Sequence, residues 1–279
     1  LYSLIVCSVV NIILDLLLIL VIPLGVLGAA IATLIAQAVS AVLVTVTLMY
    51  RTEGMKLCLS QIRMYKRMLQ SILKIGLPAG FEAIMYSISN IIVQVSINNF
   101  GVDTMAAWTA YSKIDFIFWM INSAFGISVM TFVGQNYGAG KWDRIRRGTK
   151  ICLGMALISA VFVSIILMSA ERFLFGIFVN DAGVVEIGIH MMNVIAPAYL
   201  LFAFIEVFSG ALRAQGAVVV STLITMVGIC VLRMIWVTLV AAHGTLEQVI
   251  ICYPITWAAG ALAMSIYYIY KQRKIFQAR

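Results

Sequence analysis

Residues 3–21 read SLIVCSVVNIILDLLLILV, nineteen positions that carry a single charged side chain, Asp15. A helix on the surface of a water-soluble protein keeps a broad polar face, and this stretch is too uniformly apolar to supply one. Its length matches the ~20 residues that a helix rising 1.5 Å per residue needs to cross a hydrocarbon core. Seven comparable stretches follow, at 25–50, 75–100, 104–136, 148–170, 184–211, 217–242 and 247–270. The predicted fold class is therefore all-α: a polytopic membrane protein of eight transmembrane helices.

Charge orients the spans. Six basic residues lie at 51–74 (Arg51, Lys56, Arg63, Lys66, Arg67, Lys74) and five at 141–150 (Lys141, Arg144, Arg146, Arg147, Lys150). Arg213 follows the sixth span, and Lys271, Arg273, Lys274 and Arg279 close the chain. The alternate connectors hold Asp103, Glu171, Asp181, Glu186, His243 and Glu247, with Arg172 as their one basic residue. Basic loops stay in the cytoplasm, so both chain ends are expected there, in a cell membrane.

The 279 residues are 63% hydrophobic and 11% charged, which excludes a water-exposed globule. The net charge of +8 comes from these anchoring residues, which also favour anionic lipid headgroups, and does not point to nucleic acid. The five cysteines are scattered without ligand or disulfide spacing, so no metal site or cofactor is expected. The glycines at Gly134, Gly138 and Gly140 have the wrong spacing for a phosphate loop, and Trp142 stands where a magnesium-binding hydroxyl would be needed. A tight turn between helices is the expectation. No hydrolytic constellation is present in the sequence.

The longest polar segment, 51–74, reads as an amphipathic cytoplasmic linker. Ile62, Tyr65, Leu69, Ile72 and Leu73 recur three or four apart among basic residues, as in a helix lying on a membrane surface. It divides the chain into a two-helix piece (1–50) and a six-helix piece (75–270), followed by a basic tail (271–279).

Ionisable groups inside spans cost ~2.5–3.5 kcal/mol on insertion scales, so they face the bundle interior or water and are the first functional candidates. Asp15 lies deepest, with Asn11 one turn earlier on the same helical face, as a coupling site requires. Glu82 follows Gly76-Leu-Pro78-Ala-Gly80, a run able to open a wet gap, and Glu206 is placed to reach toward Arg213. Lys113 and Asp115 need partners on other helices or in water, and Arg233 is expected to pair with an acid or with backbone carbonyls in a structural role. The tryptophans Trp108, Trp119, Trp236 and Trp257 read mainly as bilayer-facing packing.

Several segments, in order, resemble the multidrug and toxic compound extrusion (MATE) family, and its prokaryotic DinF-like branch above all. They are Asn11-Ile-Ile-Leu-Asp15, Gly25-Val-Leu-Gly28-Ala-Ala-Ile-Ala-Thr33, Leu73-Lys-Ile-Gly76-Leu-Pro78-Ala-Gly80, Val133-Gly134-Gln135-Asn136-Tyr-Gly138-Ala-Gly140 and Ser209-Gly-Ala-Leu-Arg213-Ala-Gln-Gly216. The resemblance implies a twelve-helix, two-lobe fold of which this chain is helices 5 to 12, the first four being absent. Residues 1–50 would end the N-lobe, 51–74 would link the lobes, and 75–270 would form the C-lobe. It also implies a proton site using Asn11, Asp15 and Thr33, and, as a weaker proposal, a cation site in the C-lobe near Tyr86 and Phe202, with Glu82 and Glu206 displaced from the family positions.

The expected activity is antiport of H+ or Na+ against amphipathic, cationic drug-like compounds by alternating access, in a monomer. A lipid-linked oligosaccharide flippase of the same superfamily is the alternative. A membrane receptor or enzyme is the third reading.

Overall fold

A computed structural model of the chain describes residues 2–50, 56–241 and 244–277; Arg51, His243 and Arg279 lie outside the described residues. Every regular element among the described residues is helical. Eight helices are long and apolar enough to cross a membrane: α1 (Tyr2–Val21), α2 (Gly25–Tyr50), α3 (Lys66–Asn98), α4 (Val102–Gly138), α5 (Trp142–Ser169), α6 (Ala182–Ala214), α7 (Val218–Val240) and α8 (Leu246–Ile275). They match the eight stretches read from hydropathy.

The chain forms two compact units, Leu1–Leu69 and Gln70–Arg279. In the first, α1 and α2 make a hairpin. Gly28 permits its close approach, since a β-carbon there would stand 2.9 Å from the Leu18 carbonyl oxygen. The end of α1 widens into a π-helical turn over Leu16–Val21, immediately after Asp15.

In the second unit α6 is the central helix. Two thirds of its most apolar stretch is buried (67%), against none of α1 (0%). It packs on α4, α5, α7 and α8. Gly210 lets α4 come close, because a β-carbon there would lie 2.7 Å from the Gly126 carbonyl oxygen. Small residues are what allow membrane helices to approach in this way. Pro197 lacks the N–H that an α-helix needs, and the backbone tightens to a 3₁₀ turn at Ala196–Ala198. The start of α6 is capped by Asp181, whose carboxylate accepts from the Gly183 and Val184 amides at 2.8 and 3.2 Å.

Three local expectations change. Residues 66–74 do not form a separate surface helix; they are the opening turns of α3, which continues through Pro78 to Asn98. Nothing between Lys66 and Ile75 breaks a helix, so Leu69, Ile72 and Leu73 extend the span, while Ile62 and Tyr65 precede it. Trp108 and Trp257 are buried in the second unit instead of facing the bilayer, and they join a cluster with Tyr111, Trp119, Phe202 and Tyr253. The Trp236 indole donates to the Gln248 carbonyl at 2.8 Å. The glycine-rich segment is a tight interhelical turn, with Gly140 at φ +67° between α4 and α5.

Candidate functional site

In the first unit Asn11 and Asp15 stand one turn apart on α1, both half-buried. The Asn11 amide nitrogen and one Asp15 carboxylate oxygen are shielded from solvent and have no hydrogen-bond partner. The expected amide–carboxylate bond is thus not made by these atoms. Thr33 is exposed, and its hydroxyl donates to the Ala29 carbonyl of its own helix at 2.9 Å. A helical threonine satisfies itself on the carbonyl four residues back, which explains why Thr33 is not drawn to Asp15.

The second unit holds a cavity of about 520 Å³ among α3, α4, α6 and α7. Glu82, Tyr86 and Glu206 all line it, beside Phe116, Trp119 and Phe202. Glu82 is buried, and both its oxygens accept from one Arg213 nitrogen, at 2.7 and 2.8 Å. The Thr222 hydroxyl donates to the same carboxylate at 2.9 Å. Charge-assisted bonds of this kind are about twice as strong as neutral ones, so Glu82 is firmly held.

This arrangement replaces the expected Glu206–Arg213 contact. Seven residues along one helix separate those two by ~10 Å of rise, whereas Glu82 projects from α3 directly onto the guanidinium. Glu206 forms no ion pair among the described residues and points at the glycine of the neighbouring helix: a β-carbon on Gly126 would collide with its carboxylate. Asn122, also lining the cavity, is only 3% exposed, and its amide nitrogen has no partner. The cavity thus presents one uncommitted carboxylate and one uncommitted amide donor among aromatic rings.

A second cavity, of about 300 Å³, is lined by Asn90, Trp108, Asp115 and Tyr253 among others. Asp115 finds the partners it needs: it accepts from the Trp119 indole at 2.5 Å and from the Tyr199 hydroxyl. Tyr199 in turn stacks on Phe118, with centroids 3.8 Å apart. Lys113 is exposed, consistent with a snorkelling side chain. Arg233, 2% exposed, pairs with neither an acid nor a backbone carbonyl among the described residues. It donates to the Asn90 side-chain oxygen at 3.2 Å, and its guanidinium carbon lies 4.2 Å from the centre of the Tyr253 ring. A cation–π contact is a suitable substitute for a counter-ion where water is scarce.

Asn122, Thr222, Tyr199 and Asn90 had no standing in the sequence, because neutral polar residues are common in spans. Their spacing carries no signal until the helices are assembled.

A family model described as MatE matches residues 78–239. The "Probable multidrug resistance protein YoeA" of Bacillus subtilis is 27% identical over 98% of this chain and 62% of its own length. "Multidrug export protein MepA" of Staphylococcus saprophyticus is 25% identical over 84% of this chain and 54% of its own length. A crystal structure titled "MATE in complex with MaL6" superposes with a TM-score of 0.90 at 18% identity, covering 99% of this chain and 63% of that one. The chain therefore spans about half the length of the curated relatives it matches, and it shares the fold of the solved structure.

Proposed function

The chain belongs to the MatE family, and on that footing we propose that it forms the larger part of a cation-driven exporter of amphipathic organic cations. The coupling ion is H+ or Na+, the mechanism is alternating access, and the membrane is the cell membrane with both described ends cytoplasmic. A cation shifts such a protein only if it binds the two states with different affinity, and that requires a group that is free to exchange its counter-ion.

The observation that carries the proposal is Asp15. It is a carboxylate in an apolar span, with an oxygen shielded from solvent and lacking any hydrogen bond. Taking up a cation removes the unpaired charge, and releasing it restores the charge. That difference is the source of coupling. The relatives named for multidrug resistance and export support the substrate class. The aromatic cavity at Glu206 supports it too, since rings and an unpaired acid attract an organic ammonium group. Tyr86 and Glu82 shape that cavity, Glu82 from within its ion pair. Moving an organic cation across the membrane needs no covalent step, so no catalytic residue or resident cofactor is invoked.

The flippase alternative requires cationic groups to bind a pyrophosphate. Among the described residues the basic side chain that lines the large cavity is Arg213, and it is already bound to Glu82, which weighs against that reading. The decisive experiment uses the full-length protein in proteoliposomes with a fluorescent cation. Asp15→Asn is expected to insert and fold normally while export falls to passive leak under either a pH or a sodium gradient. Undiminished gradient-driven export by that variant refutes the assignment.

A further inference from the structure

We propose that the cleft between α5 and the end of α8 is a binding site for the phosphate of an anionic membrane lipid. A cavity of about 300 Å³ opens there, lined by Arg146, Lys150, Tyr268, Ile269, Gln272 and Arg273. Arg146 and Lys150 are one turn apart on α5, and Arg273 comes from α8, so three cations converge on one space. Like charges at that spacing on a helix repel one another. Neither Lys150 nor Arg273 has an acidic partner among the described residues. A bound anion would remove the repulsion.

The floor of the cavity is built, not merely charged. Tyr268 is 7% exposed and its ring stacks on Phe208, with centroids 4.5 Å apart. Its hydroxyl meets no partner at close hydrogen-bond geometry: the neighbouring Thr149 is within looser reach, and its own hydroxyl already donates to the Ile145 carbonyl at 2.8 Å. A buried hydroxyl left unpaired is costly, and a phosphate oxygen would satisfy it. Gln272 is fixed by donating to the Gln215 side chain at 3.1 Å, and the neighbouring Lys271 ammonium donates to the Gln215 carbonyl at 3.0 Å. These two bonds tie the end of α8 to Gln215 and so fix one wall of the cleft.

The surroundings favour a lipid over free phosphate. Ile269, Ile266 and Leu262 run down α8 from the cavity at helical spacing, each at least half exposed. On α5 the face that carries Lys150 continues through Gly154, where an added β-carbon would meet nothing, to Leu157 and Val161. Helix α6 packs against both α5 and α8 and so backs the cleft between them. A headgroup phosphate would sit on the cations and Tyr268, and its acyl chains would lie along this apolar channel.

The test is lipid retention by the full chain purified in detergent, read by native mass spectrometry and by thermal stabilisation. The probes are phosphatidylglycerol, phosphatidylcholine and inorganic phosphate. Phosphatidylglycerol is expected to bind and to raise the melting temperature, and the other two are not. Each removed cation should weaken binding about five-fold, so Lys150→Gln with Arg273→Gln should weaken it roughly twenty-five-fold. Tyr268→Phe should weaken it several-fold, and Lys150→Arg should retain it and report on folding. Equal binding of phosphatidylcholine, or full retention by the double variant, overturns the site. Stabilisation by inorganic phosphate equal to that by the lipid overturns the lipid assignment.

Discussion

In the first hairpin Asp15 keeps a shielded carboxylate oxygen without a hydrogen bond, whereas in the six-span unit Glu82 is gripped by Arg213 and Thr222 and Asp115 by Tyr199 and Trp119. The same chemical group thus has opposite tasks. An acid with fixed partners adds specificity to a helix bundle and is held in one position. An acid with none pays continually for its place in hydrocarbon, so it is the one whose state an incoming cation can change. Glu206 falls between them: it is inside the six-span unit, yet uncommitted.

The comparison is most sharply broken at its two ends. Asp15→Asn should have the largest effect, a complete loss of gradient-driven export without loss of folded protein, measured as dye flux beside a melting curve. Next comes the locked pair. Glu82→Gln leaves a guanidinium without its counter-ion and should cost about 2–3 kcal/mol of stability, discounted because the Arg213 side chain is 30% exposed. Replacing both members, Glu82→Leu with Arg213→Leu, should cost less than either single change, and a double-mutant cycle in detergent unfolding measures the difference.

Gly210→Ala should follow at about 1–3 kcal/mol, because the new methyl meets the Gly126 backbone and forces α4 and α6 apart. Gly126→Ala should instead displace the flexible Glu206 carboxylate, altering substrate affinity more than melting temperature. Ligand-quench titration distinguishes the two glycines. The smallest effect belongs to Thr33→Val. Its hydroxyl is satisfied within α2, so stability should change by about 0.5 kcal/mol or less. A loss of coupling in that variant would mean that Thr33 turns toward Asp15 in another conformational state.

Much of the fold was legible because a membrane span is written in consecutive residues. Residues 3–21 announce a helix without reference to anything else. The amphipathic pattern at 62–73 misled because a helical period is the same whether the helix lies on a membrane or leads into a span. Arg233 misled for a related reason: its charge predicts that it has a partner, not that the partner is Asn90 and a tyrosine ring.

Taken by itself, the sequence determined the number of spans and which residues are too costly to face lipid, since hydropathy and charge are local properties. Only the tertiary structure decided which of those residues are occupied. The Glu82–Arg213 contact joins positions 131 apart and the Tyr199–Asp115 contact positions 84 apart. Which helices meet is settled by packing, through glycines such as Gly126 and Gly210, and packing is what assigns each buried charge its partner or leaves it without one.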